Sequence, residues 1–184
     1  MMKKLLVLLT VICLMGSFAF AEEEADPWIR YDWSDEMAED AAAREFYKVD
    51  FKALERGLSM YIPKYLQSSE ITDGQSEGLI ARWADEGQAR SITVSLKLLP
   101  AGKDLTAKLQ ALEGELKKDG WDRFSLILVN EASGVRFSRE AQKEEAVLFP
   151  VAEDAVLIMA FSPTNQEEFR KDYEMALCSL DAVE

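Results

Sequence analysis

The chain has 184 residues, within the usual size of about 100–200 residues for one domain, and carries 34 acidic against 21 basic side chains for a formal net charge of −13. That balance excludes a nucleic-acid binder and argues against adsorption on anionic lipid, because both need a basic footprint. Histidine is absent altogether, which removes Ser-His-Asp and Cys-His catalysis, imidazole zinc sites and a histidine pH switch.

Residues 1–21 read as a cleavable export signal. Lys3 and Lys4 form a positive n-region, Leu5 to Met15 an apolar h-region broken only by Thr10, and Ala19-Phe20-Ala21 a small-x-small cleavage site. Glu22 is then the expected mature start, in a secreted or periplasmic protein. The apolar run is shorter than the roughly 20 residues a membrane-spanning helix needs, so no stable membrane insertion is expected. Cys13 falls inside the signal, and Thr10-Val11-Ile12 lacks the Leu and small residues of a bacterial lipoprotein site. Cys178 is the remaining cysteine and has no intramolecular partner for a disulfide.

Residues 22–50 form an acidic, aromatic-punctuated segment, in which Glu22 to Ala25 are expected to trail as a disordered terminus. Ser34 followed by Asp35 and Glu36 is an N-cap with acids in the first turn, and Ala41 to Ala43 extend the helix it predicts over Asp35 to Phe46. Residues 51–184 form the second unit, a single α+β domain. Leu58 to Ile62 alternate as a strand that stops at Pro63. Ser68 to Gln75 make a polar loop, and Leu79, Ala81 and Trp83 alternate as the next strand up to the reversal at Asp85-Glu86-Gly87. Ser91 to Leu98 follow as the cleanest strand, with Ile92, Val94, Leu96 and Leu98 on one face and a hairpin to the preceding strand.

Pro100-Ala101-Gly102 break the pattern and Asp104 caps a helix whose Leu105, Leu109, Leu112 and Leu116 lie on one stripe. Glu113 and Lys117 make an i,i+4 pair, Gly114 falls on the solvent face, and Gly120 ends the helix. Strands are predicted over Phe124 to Val129, around Val135 and Phe137, over Ala146 to Phe149 with a stop at Pro150, and over Ala155 to Phe161. Val151 to Asp154 join the last two. The closing helix runs from Asn165 to Leu180, with Phe169, Tyr173, Ala176, Leu177 and Leu180 facing inward and Cys178 about 180° away. The order describes a largely antiparallel sheet of about six to seven strands packed on two or three helices.

Two passages carry a family likeness. Gly57-Leu58-Ser59-Met60-Tyr61-Ile62-Pro63 is similar to the opening strand, and Phe169 to Leu180 with its closing Leu177-Cys178-Ser179-Leu180 to the terminal helix, of the PsbP/DcrB-like family. That family also includes the yeast Ran-binding nuclear import factor, and the resemblance spans residues 51–180. It implies an α+β fold and action by binding partners or assisting assemblies, and it brings no catalytic residue and no cofactor.

Candidate chemistry is sparse. Trp28, Tyr31 and Trp33 are the candidate partner-binding residues, set against the alternative that they anchor the N-terminal segment onto the domain. Asp32, Asp35, Glu36, Glu39 and Asp40 are dense enough for a cation site but lack the D-x-D-x-D-G loop, which favours a solvated helix face. Arg82, Arg90, Arg136 and Arg139 are candidates for an anion site or for outward charges that solubilise the sheet. No catalytic residue, metal ligand or cofactor is assigned. The reading is an exported non-enzymatic binding or accessory domain, a monomer or weak dimer, contacting a protein or small ligand of the envelope or extracellular space. The alternatives are a carboxylate-dependent hydrolase acting on glycans and a cation-binding module.

Overall fold

The computed structural model describes residues 28–54, 56–69, 78–99 and 104–183. The expected signal at 1–21, the trailing terminus at 22–25 and most of the 68–75 loop lie outside the described residues. The elements are β1 (Trp28–Tyr31), α1 (Asp35–Ala43), β2 (Phe46–Ala53), β3 (Arg56–Pro63), β4 (Gln67–Ser68), β5 (Leu79–Ala84), β6 (Ser91–Leu98), α2 (Leu105–Lys118), β7 (Asp122–Val129), β8 (Ala132–Arg139), β9 (Glu144–Ala152), β10 (Ala155–Ser162), α3 (Glu167–Cys178) and β11 (Asp181–Val183).

These build an α+β fold with an eight-stranded sheet, β1-β7-β8-β9-β10-β6-β5-β4, and a three-stranded sheet, β11-β3-β2. Pairing is antiparallel throughout except between β1 and β7, which run parallel with Tyr31 opposite Val129. One face of the large sheet buries Ile92, Val94, Ile127, Val147, Leu157, Met159 and Phe161 beneath α3 and the small sheet, which add Phe169, Tyr173, Leu177, Met60 and Ile62. The other face buries Phe137, Leu148 and Val156 beneath Leu109 and Leu112 of α2. The large sheet is therefore covered on both sides, and the apolar run of β10 lies near its middle.

Local chemistry sets several boundaries as expected. Ser34 Oγ accepts from Met37 N–H at 3.1 Å and Asp104 Oδ1 from Ala107 N–H at 3.0 Å, capping α1 and α2. Lys117 pairs with Glu113 at 2.6 Å, and Gly120 sits at φ +86 just beyond α2. β6 spans Ser91–Leu98 as expected, with Ile92 and Val94 buried, while Leu98 is 66% exposed because the cover stops short of it.

Other expectations change. α1 ends at Ala43, and Phe46 opens β2, in which Tyr47, Val49, Phe51 and Ala53 turn to the core while Lys48, Asp50 and Lys52 turn to solvent. β2 runs across the expected division between residues 50 and 51. β9 continues through Pro150, because the β9–β10 register shifts there: Ala155 faces Ala152 while Val156 faces Pro150, leaving Val151 as the extra residue of a bulge. A bulge tolerates a residue without an N–H. α3 is shorter than expected, and Cys178 is fully buried rather than outward. The helical-wheel argument assumes one covered side, whereas the C-terminal half of α3 is packed between the large-sheet core, β3 and the segment after β1.

Candidate functional site

The aromatic candidates sit where the chain's first described strand crosses to the small sheet. β1 places Trp28, half-buried, opposite Leu126, and turns the Tyr31 ring onto the main core. The Tyr31 hydroxyl accepts from Arg136 Nη1 at 2.9 Å. Beyond β1, Trp33 stacks on Tyr61 of β3 with ring centroids 5.6 Å apart and planes 3° from parallel. Tyr61 remains 36% exposed, and Ile29 on β1 is 40% exposed. Trp33 is thus tied to the domain by one ring and shows part of the stack to solvent.

Asn130, in the β7–β8 turn, fixes this crossing. Its Oδ1 accepts from Trp33 N–H at 2.9 Å, its Nδ2 donates to Cys178 C=O at 2.9 Å, and its own N–H donates to Tyr31 C=O at 2.7 Å. One side chain therefore links the segment after β1 to the end of α3. Its φ of +50 is a conformation that Asn tolerates in a two-residue hairpin turn. Sequence reasoning passed over Asn130 and Tyr61. The Val-Asn-Glu-Ala turn was a usable signal for the first, and nothing in β3 singled out the second from its alternating neighbours.

A charged cluster underlies β1. Glu145 on β9 accepts from the Tyr173 hydroxyl of α3 at 2.6 Å and pairs with Arg136 Nη2 on β8 at 2.6 Å. Burial, then the hydrogen bond to Glu145, raises the Tyr173 pKa well above the usual phenol range. Tyr31 is raised as well, chiefly by burial and against the pull of Arg136. A second buried carboxylate, Asp172, accepts from the Tyr65 hydroxyl at 2.6 Å and from Arg44 Nη1 at 3.1 Å, joining α3 to the chain after α1 and after β3. Both carboxylates are held by a cation and a phenol.

The four arginines do not converge. Arg136 serves Glu145, while Arg139 pairs with Glu144 and lies 4.6 Å from the Trp121 ring centroid on the α2 side of the sheet. Arg90 donates to Gln166 at 3.0 Å, and Arg82 to Gln88 at 2.8 Å. Arg82 also borders an open groove of about 710 Å³ with Gln67, Ser68, Ser69, Asp85, Glu86 and Gln88. Asp85 there is engaged in its own turn, accepting from Ala89 and Arg90 N–H.

The acids of α1, Asp35, Glu36, Glu39 and Asp40, are exposed, and among the described residues no three His, Cys, Asp or Glu side chains come together in a metal-binding group. The Cys178 thiol is pushed up to about 12, first by burial and then by Glu174 and Asp32, which holds it as an unreactive thiol. Among the described residues no helix is long and apolar enough to cross a membrane.

Comparison with known proteins places the fold. No family model matches the chain, and no curated protein matches it in sequence. The solution structure of cyanobacterial PsbP (CyanoP) from Synechocystis superposes with a TM-score of 0.50 at 9% identity, covering 76% of this chain and 94% of that one. A Mog1 variant gives 0.44 at 12% identity over 76% of this chain and 97% of its own, and the Saccharomyces cerevisiae Ran-binding protein Mog1p gives 0.41 at 10% over 77% and 97%. The likeness to CyanoP is one of fold, and it agrees with the resemblance carried by the first β3 strand and the α3 helix.

Proposed function

We propose that this protein is an exported, non-enzymatic accessory domain that works by protein contact in the bacterial envelope or the extracellular space. Its contact surface is Trp33 stacked on Tyr61, with Ile29 beside it, while Tyr31, turned onto the core, and Trp28, on the opposite face of β1, anchor the N-terminal aromatic segment. The observation that carries this reading is the Trp33–Tyr61 stack. It is partly exposed, and Asn130 and the β3 ladder hold it in place, so a partner meets rigid aromatic area with little ordering cost. Export is supported by the n-region, h-region and cleavage site of residues 1–21. Glu145 and Asp172, the buried carboxylates among the described residues, are each held by a cation and a phenol and serve to join the helix α3 to its neighbours.

Ile29→Glu and Tyr61→Ala test the reading: Ile29 is exposed, and Tyr61→Ala removes the ring under Trp33 while keeping the buried Met60 and Ile62 of β3. Affinity capture of envelope proteins on the wild type and on each variant, with melting curves alongside, is expected to show a discrete partner lost from both variants at nearly unchanged melting temperature. Equal capture by wild type and variants would remove this surface from the account.

A further inference from the structure

Among the described residues β2 pairs with β3 alone and ends the order β11-β3-β2, which leaves one side of the small sheet open. Two residues separate the Ala53–Arg56 pair, the length of a hairpin turn whose flanking residues exchange hydrogen bonds. Alternation along the ladder then makes Phe51–Leu58, Val49–Met60 and Tyr47–Ile62 bonded pairs, and sets Phe46 against Pro63, which has no N–H to give. The backbone N–H and C=O groups of Phe46, Lys48, Asp50 and Lys52 consequently point to the open side. Lys48, Asp50 and Lys52 expose their side chains on one face, while Tyr47, Val49 and Phe51 stay half-buried on the other, at the margin of the main core. A strand of this length with unsatisfied edge groups is a template for another strand.

We propose that two copies of this chain join edge to edge through β2, antiparallel about a two-fold axis at Val49. Charge selects the register. An axis at Asp50 sets Asp50 against its own copy and Lys48 against Lys52, and an axis at Lys48 sets lysine against lysine. An axis at Phe51 pairs Asp50 with Lys52 but runs Lys48 into the turn at Leu54. The axis at Val49 alone aligns Phe46 to Lys52 in full, with outward backbone groups opposite one another. It sets Lys48 beside Asp50 of the second copy twice over. On the core face it brings Tyr47 to Phe51 twice and Val49 to Val49, contacts of the aromatic and β-branched kind that stabilise cross-strand pairs. The two small sheets become one six-stranded sheet, and the interface is isologous, as a closed dimer requires. Each copy carries −13 overall, a repulsion screened beyond about 8 Å at physiological ionic strength.

Sedimentation equilibrium over a hundredfold concentration range at physiological ionic strength tests this. The wild type is expected to move from one chain mass toward two. Lys48→Asp, which sets Asp against Asp50, is expected to stay at one chain mass. The charge swap Lys48→Asp with Asp50→Lys restores opposite charges in the same register and is expected to associate as the wild type does. Circular dichroism and melting curves confirm that each variant is folded, as expected for exposed side chains. A wild type that stays monomeric overturns the proposal. So does association unchanged in Lys48→Asp, or a charge swap that fails to restore it.

Discussion

Replacing Asn130 with alanine should loosen the crossing between β1 and α3 by an amount that follows from its contacts. The substitution removes two well-formed hydrogen bonds, from Trp33 N–H at 2.9 Å and to Cys178 C=O at 2.9 Å, each worth about 1 kcal/mol net. The longer contact to Leu180 C=O at 3.4 Å adds little. Alanine must also hold φ near +50, a left-handed conformation costing roughly 1–2 kcal/mol for a residue with a Cβ and no local bonding partner. The sum is about 3–4 kcal/mol. Glycine at the same position loses the same bonds without the backbone strain, but it frees the unfolded chain by roughly 0.4–1 kcal/mol, so it should cost less than alanine. Urea unfolding followed by tryptophan fluorescence gives both values, with an unchanged slope marking a change of stability alone. An alanine variant within about 1 kcal/mol of wild type would refute the role given to Asn130. Equal costs for alanine and glycine would refute the strain component.

Three other outcomes follow from the same structure. Stability should fall as pH rises above 9: Cys178 ionises near 9 when unfolded and near 12 when folded, so its contribution is complete below 9 and is lost between those values. Tyr31, Tyr47, Tyr65 and Tyr173, all raised from 10, add losses of the same sign that set in on the approach to 10 and grow above it, in the wild type and in Cys178→Ala alike. Denaturant titrations should therefore show stability falling more steeply in the wild type than in Cys178→Ala on the rise through pH 9, by up to about 1.4 kcal/mol per pH unit, and equal slopes in the two proteins would count against this. Gly134→Ala places a Cβ 2.8 Å from Leu148 O, a backbone atom that cannot swing aside, and 3.0 Å from the Phe149 ring. It should cost about 1–3 kcal/mol by thermal unfolding. N-terminal sequencing of the protein made in its own cell should begin at Glu22, and a chain still beginning at Met1 would oppose export.

What could be read from the sequence was the part where one physical signal acts alone. β6 shows an uninterrupted period of two, and α2 combines a capped start, a leucine stripe and a closing glycine, so both emerged with nearly correct bounds. β2 shows an equally regular alternation from Phe46 to Ala53, but the alanine run before it extended the helix reading over its first residue. β1 and β4, four and two residues long, are too short to display a period, and their pairing comes from the sheet they join. Pro150 ends a strand only where its nitrogen must donate, and the bulge at Val151 relieves that demand. Cys178 was misplaced because a wheel describes one helix against one surface, and α3 is covered on more than one side. At the candidate site, Trp28, Tyr31 and Trp33 stood out as large aromatics close together. The partner ring Tyr61 and the clasp Asn130 lie far along the chain, and only tertiary structure brings them to the same place.

The central claim is that the face made by β1, Trp33 and Tyr61 meets a protein partner. Photo-cross-linking in the producing cell, with a reactive residue in place of Ile29 or Tyr61, tests it most directly, and the exposed Gln110 on α2 across the sheet serves as the control. The account predicts a discrete heavier adduct from positions 29 and 61 and none from 110. No adduct from either position, or the same adduct from all three, would contradict it.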